Sequence, residues 1–218
     1  INKYTFFIFK KVKINVMKIL YTSSSFLPNS NLYWKRIRNE TTSVNFAEYG
    51  NIVHSLINLK NYDSIILTIF FEDIYNSKNQ NGINLILKAL NESLAFGKPI
   101  YFSIGHNSNK NYITSARYQD SEDQKYNLFK ENLYQLSSSN NNLFIIDLDK
   151  AFAIHGHKNI YDMRNWYFSH MRISYEGINI LDTMIADVIK RSTSACKKVL
   201  ILDCDNTLWG GVIGEDEL

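Results

Sequence analysis

Cysteine is scarce in this chain. The two present, Cys196 and Cys204, lie eight residues apart near the carboxyl end, with neither metal-ligand spacing nor the makings of a disulfide framework. A reducing cytoplasm is therefore the expected compartment. No apolar run is long enough to span a membrane as a helix, so no membrane partner is expected. Acidic residues are missing from the first sixteen positions, which hold Lys3, Lys10, Lys11 and Lys13. Those four lysines exceed the chain's formal charge of +3, so from Met17 onward the balance is −1 (the +3 less those four). Nucleic-acid binding by bulk charge loses its support. Internal repeats are absent as well. What is there, 218 residues with 45% hydrophobic and 21% charged, describes one full globular domain with part of a second.

The opening stretch, INKYTFFIFKKVKINV, reads either as a targeting segment or as a translated extension ahead of Met17. Its apolar part is short, broken by lysines and followed by no small-residue cleavage site, which favours residues 1–16 as an extension outside the domain.

From Met17 on, apolar runs alternate with amphipathic stretches. Lys18–Thr22, Ser43–Phe46, Ser64–Phe71, Pro99–Ile104 and Leu143–Asp147 read as strands, and Ser64–Phe71 (SIILTIFF) has the unbroken β-branched and aromatic character of a central parallel strand. Asn31–Asn39, Glu48–Asn58, Leu85–Phe96 and Glu122–Leu136 read as helices, and the polar SSSNNN tract before Leu143 as a loop. Ser174 is placed to cap a last long helix, whose Ile178, Leu181, Ile185 and Ile189 recur at three and four. Strands alternating with helices predict an α/β fold, a doubly wound parallel sheet of the three-layer flavodoxin kind. The short polar joint Lys190–Cys196 marks the expected boundary, with one domain over 17–193 and the start of another over 194–218.

The second piece carries the sharpest chemistry. Val199–Leu202 suits a strand covered on both faces, and Asp203 and Asp205 follow at once. Strand alternation points both carboxylates the same way from the strand's carboxyl end, where open α/β sheets place ligands. Two close like charges invite a hard divalent cation such as Mg²⁺, which takes oxygen ligands. The pair suits phosphoryl transfer: one carboxylate attacks phosphorus, and the other protonates the leaving oxygen and later activates water.

The run Asp203-Cys204-Asp205-Asn206-Thr207-Leu208-Trp209-Gly210-Gly211-Val212-Ile213-Gly214-Glu215-Asp216 resembles motif I and the following flap of the haloacid dehalogenase (HAD) superfamily, in the wording of its FkbH-like branch, subfamily IIIC. The resemblance implies Asp203 as nucleophile, Asp205 as general acid/base, Mg²⁺ on this pair, and a supporting role for Thr207 in ordering the turn. It further implies a phosphorylated small-molecule substrate such as 1,3-bisphosphoglycerate, with a glyceryl group loaded onto an acyl carrier protein. The match stops at Leu218, inside the flap of a HAD-type Rossmannoid domain, so this stretch alone is expected to lack phosphatase activity.

Farther upstream, VNFAEYGNIVHSL, the strand ending in Phe71-Glu72-Asp73, and YDMRNWYFSHMRISYEG are similar to the amino-terminal domain of FkbH-like proteins, itself similar to SGNH (GDSL-type) hydrolases. That resemblance implies Ser24 as nucleophile, Gly50 as an oxyanion donor, Glu72-Asp73 in the place of an Asn-Asp pair, and His170 as base. No Gly-Asp-Ser is present, Glu72 offers no donor side chain, and Tyr167 stands where an orienting Asp belongs. A docking module without ester chemistry is therefore preferred over an esterase.

Other groups receive plainer readings. His155 and His157 have no partner at metal-site spacing and are expected exposed on a loop. Cys204, a candidate acyl carrier, is expected to pack as a small hydrophobe. Gly210, Gly211 and Gly214 lack a following Walker lysine. Trp166, Tyr167 and Phe168 are expected in the core.

Overall fold

The computed structural model describes residues 16–38, 42–75, 81–106 and 121–193. Five parallel strands, β1 (Met17–Ser23), β2 (Thr42–Phe46), β3 (Ser64–Phe70), β4 (Ile100–Gly105) and β5 (Leu143–Asp147), form one sheet in the order β2-β1-β3-β4-β5. Eight α-helices are described: α1 (Ile52–Ile57), α2 (Phe71–Ile74), α3 (Asn81–Leu94), α4 (Ser121–Ser139), α5 (Leu148–His155), α6 (His157–Ile160), α7 (Met163–Ser169) and α8 (Tyr175–Thr193).

The alternation of strand side chains sorts the core into two layers. Leu20, Ile65, Leu67, Ile69, Phe102 and Leu143 pack under α1, α3 and α4, whereas Ile19, Tyr21, Ile66, Phe70, Tyr101 and Ile146 pack under α5, α6 and α8. β3 sits at the centre, buried at every position, and each of its large apolar side chains contributes roughly 1.5–3 kcal/mol on burial. Its continuous apolar run follows from being covered on both faces.

Between β1 and β3 the connections diverge, β1 leading outward to β2 and β3 leading the other way to β4 and β5. This is the switch point at which such sheets open a crevice beyond their carboxyl ends. Ser24 and the Glu72-Asp73 turn lie there. The helix α8 seats as its sequence predicts: the Ser174 hydroxyl accepts the Gly177 N–H at 3.0 Å, and Ile178, Leu181, Ile185 and Ile189 are buried. Gly177 has no side chain because a Cβ there would stand 3.0 Å from the Ile160 carbonyl. No described helix is long and apolar enough to cross a membrane.

Three expectations are corrected. Residues 31–38 are successive turns, not a helix. The backbone N–H groups of Arg36 and Ile37, which a helix would use internally, donate instead to the Asp182 carboxylate at 2.9 and 3.1 Å. The helix expected over Glu48–Asn58 begins only at Ile52, since Gly50 takes φ +82° and turns the chain first. Half of the SSSNNN tract belongs to α4, which extends through Ser139 and leaves Asn140–Asn142 as the loop. The joint at Lys190–Cys196 opens inside α8, and its remainder lies outside the described residues.

Asp182 is 1% exposed. Removing its carboxylate in Asp182→Ala strands two donors, so denaturant unfolding should show a loss of about 2 kcal/mol or more. A change within about 0.5 kcal/mol, the ordinary surface value, would count against this anchoring.

Candidate functional site

Ser24 follows directly on β1, and its position is fixed from three sides. Its N–H donates to the Thr68 carbonyl at 2.9 Å, its hydroxyl accepts the Phe70 N–H at 2.9 Å, and the same hydroxyl donates to Asp73 Oδ2 at 2.8 Å. An acyl-transfer serine needs a base to take its proton and N–H donors aimed at the developing oxyanion. Here the Ser24 N–H is engaged by Thr68, the Gly50 N–H is engaged by the Ser23 carbonyl at 2.8 Å, and residue 72 is a carboxylate. Both oxyanion donors that the resemblance implies are therefore lost, Gly50 being engaged elsewhere and position 72 holding an acceptor.

Asp73 carries the other half of the junction. Arg172 donates from Nε to Asp73 Oδ1 at 2.6 Å and from Nη2 at 2.5 Å, and its Nη1 lies 3.9 Å from Glu72 Oε1. The guanidinium stacks on Trp166, 3.8 Å from the ring centre. Burial raises the Asp73 carboxyl above its ordinary range in spite of the opposing pull of Arg172 and Ser24. Glu72 goes the other way: burial pushes it up, but His106, its own backbone and Arg172 together hold it below the ordinary value. A paired, hydrogen-bonded carboxylate of this kind holds Ser24 in place rather than activating it through an imidazole.

His170 lies beside the chain that follows Ser24. It closes α7 in the left-handed region at φ +55°, its carbonyl accepts the Phe26 N–H at 3.0 Å, and its exposed ring stands edge-on to Trp166. Tyr167, in the position of the orienting Asp, is 78% exposed, and Phe168 is 91% exposed. The expectation of core packing for Trp166, Tyr167 and Phe168 is thus corrected: α7 buries no residue, and only Trp166 is partly covered, by Arg172. His155 is exposed as expected, although at the end of α5 rather than on a loop, while His157 stacks on Tyr161 at 4.5 Å. No group of His, Cys, Asp and Glu suited to a metal occurs among the described residues. Asp203, Asp205, Thr207 and Cys204 lie outside them.

Beside the Ser24–Asp73 junction runs a groove of about 640 Å³ between α1 and α3, lined by Ser24, Gly50, Asn51, Ile57, Asp73 and Leu85 among others. Sequence reading missed two residues here. Arg172 stands two positions after His170, and nothing local distinguishes it from a surface cation. His106 ends the FSIGH run at the carboxyl end of β4, a placement that could have flagged it.

The fold recurs in solved structures. The N-terminal part of the protein BF1531 from Bacteroides fragilis, containing a phosphatase domain and complexed with Mg, matches with a TM-score of 0.68 at 21% identity over 94% of this chain. This chain spans 60% of that one. An acetyl xylan esterase, AlAXEase, matches at 0.52 with 12% identity, covering 79% of this chain and 100% of the esterase. A lipolytic G-D-S-L family member from Veillonella parvula matches at 0.51 with 16% identity, covering 80% of this chain and 98% of the other. No protein-family model and no curated protein matches the sequence. At such identities the likeness carries the architecture alone, and the described domain has the SGNH-like α/β fold.

Proposed function

We propose that residues 17–193 form an SGNH-like docking domain without ester chemistry, in an FkbH-like protein whose phosphoryl chemistry rests on Asp203 and Asp205. The observation that carries the first half is the engagement of the Ser24 and Gly50 N–H groups and the Ser24 hydroxyl by Thr68, Ser23, Phe70 and Asp73. A serine so held donates to a carboxylate that is itself paired with Arg172 rather than to an imidazole, and the Ser24 and Gly50 N–H groups are not available as oxyanion donors.

The second half is supported by the Asp-x-Asp-x-Thr run and by the likeness to a protein part that contains a phosphatase domain complexed with Mg. Two carboxylates two residues apart form a donor set that fits a hard oxygen-seeking cation, and Asp203 and Asp205 would hold it. When bound, Mg²⁺ neutralises charge on phosphate oxygens. Asp203 attacks phosphorus and becomes an aspartyl-phosphate as the leaving oxygen departs. Asp205 gives that oxygen its proton, then takes one from the water that releases phosphate. The substrate class is a phosphorylated small molecule such as 1,3-bisphosphoglycerate, in a reducing cytoplasmic setting. The docked partner is an acyl carrier protein, and the groove beside Asp73 supplies a surface of suitable size.

Short acyl esters incubated with the chain should hydrolyse at the background rate, unchanged in Ser24→Ala. Turnover lost in both Ser24→Ala and His170→Ala would replace the docking reading with an esterase. For the phosphoryl half, the longer protein that continues past Leu218 is assayed with Mg²⁺ and an aryl phosphate. Asp203→Asn should abolish activity, and Asp205→Asn should lower it by a factor on the order of 10² or more. Near-normal rates in either variant would contradict the assignment.

A further inference from the structure

Of the five histidines, His106 alone is buried, at 7% exposure. It follows Gly105, where a Cβ would stand 2.9 Å from the Cβ of Leu148, so the end of β4 is pressed against α5 and the next side chain is directed out of the strand end. Its backbone N–H donates to Asp149 Oδ1 at 3.0 Å, which fixes the residue from the α5 side.

Both ring nitrogens face carboxylates. Nε2 lies 3.0 Å from Asp123 Oδ1, while Nδ1 lies 3.5 Å from Glu72 Oε2 and 3.9 Å from Glu122 Oε1. A neutral imidazole donates from one nitrogen and presents a lone pair at the other. In either tautomer one carboxylate would then face a lone pair across a low-dielectric gap, whereas an imidazolium donates from Nε2 to Asp123 and sets its positive charge 3.5 Å from Glu72 Oε2, an ion-pair contact rather than a hydrogen bond. Among the described residues, the charged groups around it come from three elements: Glu72 on α2, Glu122 and Asp123 on α4, and Asp149 on α5. Opposing cations act one step away, Arg172 on Glu72 and Lys130 on Asp149 at 3.0 Å. The neutral titratable neighbours are Tyr126, whose ring lies 4.9 Å off and whose hydroxyl donates to Asp149, and His157, which lines the same cavity. Phe71 closes the remaining side edge-on at 5.6 Å.

We infer that His106 is a pH-operated clamp: as an imidazolium it ties the first turn of α4 and the Glu72 turn to the end of β4, and on losing one proton to solvent it keeps a donor for only one of them and lets the other go. Glu72 adjoins Asp73, so the clamp also sets how firmly the Ser24–Asp73–Arg172 junction is backed. The electrostatic balance agrees with the geometry. Burial alone favours the neutral ring, yet the Glu72 and Asp123 contacts and the Glu122 charge outweigh it and hold the His106 pKa above its ordinary value of 6.5. A raised folded pKa means the clamp's stabilisation is complete below about pH 6.5 and is lost as pH rises through the raised value. On the acid side Glu72, held below its ordinary range, keeps its charge until the pH falls through that lowered value.

The test is a side-chain ¹⁵N NMR titration of the full chain from about pH 5.5 to about pH 9.5, with thermal unfolding over the same range. His106 should titrate above the other four histidines with both ring nitrogens protonated near neutrality, and the Glu72 and Asp123 amides should share its midpoint. The unfolding temperature should fall as His106 deprotonates, and His106→Gln should flatten that fall. Should His106→Gln fail to fold, Asp123→Asn serves instead, lowering the His106 midpoint by at least about half a unit, part of the usual one-to-three-unit pull of a nearby opposite charge. A His106 midpoint at or below the ordinary value, a pH slope that survives in His106→Gln, or an unmoved midpoint in Asp123→Asn would each overturn the clamp.

Discussion

The Asp73 carboxylate lies between the Ser24 hydroxyl on one side and the Arg172 guanidinium on the other, and the carboxyl end of the sheet is arranged around that contact. It ties three distant parts of the chain: the end of β1, the turn after β3, and the segment between α7 and α8. Arg172 is in turn stacked on Trp166, so the placement of α7 depends on the same pair. Breaking a partly buried ion pair on one side costs several kcal/mol because the remaining charge is left uncompensated. A junction of that kind is rigid, and rigidity suits docking better than nucleophilic attack, in which a serine must shed its proton and move toward a carbonyl.

The residues that the resemblance to SGNH hydrolases named lie at or near the carboxyl end of the sheet. Ser24 occupies the nucleophile's place at the switch point, Gly50 retains its turn, and His170 retains its place before the last helix. The Ser24 and Gly50 N–H groups and the Ser24 hydroxyl are engaged by Thr68, Ser23, Phe70 and Asp73. Fold and function separate readily, and a shared architecture does not carry the chemistry with it.

Local pattern made much of this legible. The strand Leu143–Asp147 was readable as a short apolar run, and the apolar spine of α8 from a three-to-four repeat set by burial on one side. The same reasoning failed over residues 31–38, where Asp182, more than a hundred residues away, takes the backbone donors that a local pattern assigns to a helix. It failed again at Tyr167 and Phe168, which are apolar yet exposed, because composition cannot say which face of a short surface helix has a covering layer. The resemblance to SGNH hydrolases named Ser24, Gly50, Glu72, Asp73 and His170, and of these Ser24 and Asp73 share a hydrogen bond. That Arg172 completes the junction and that His106 backs it were not legible, since both depend on partners supplied by other strands' ends.

Removing a residue from a working catalytic centre tends to leave stability unchanged or raise it, because such centres hold strain for the sake of activity. Removing a residue from a structural junction lowers it. The direct measurement is denaturant unfolding of Arg172→Met, Asp73→Asn and the pair together. A structural junction predicts a loss of roughly 3 kcal/mol for Arg172→Met, the scale of a broken buried pair, and partial recovery in the double variant. Single variants as stable as the native chain or more so, with strictly additive effects, would contradict it.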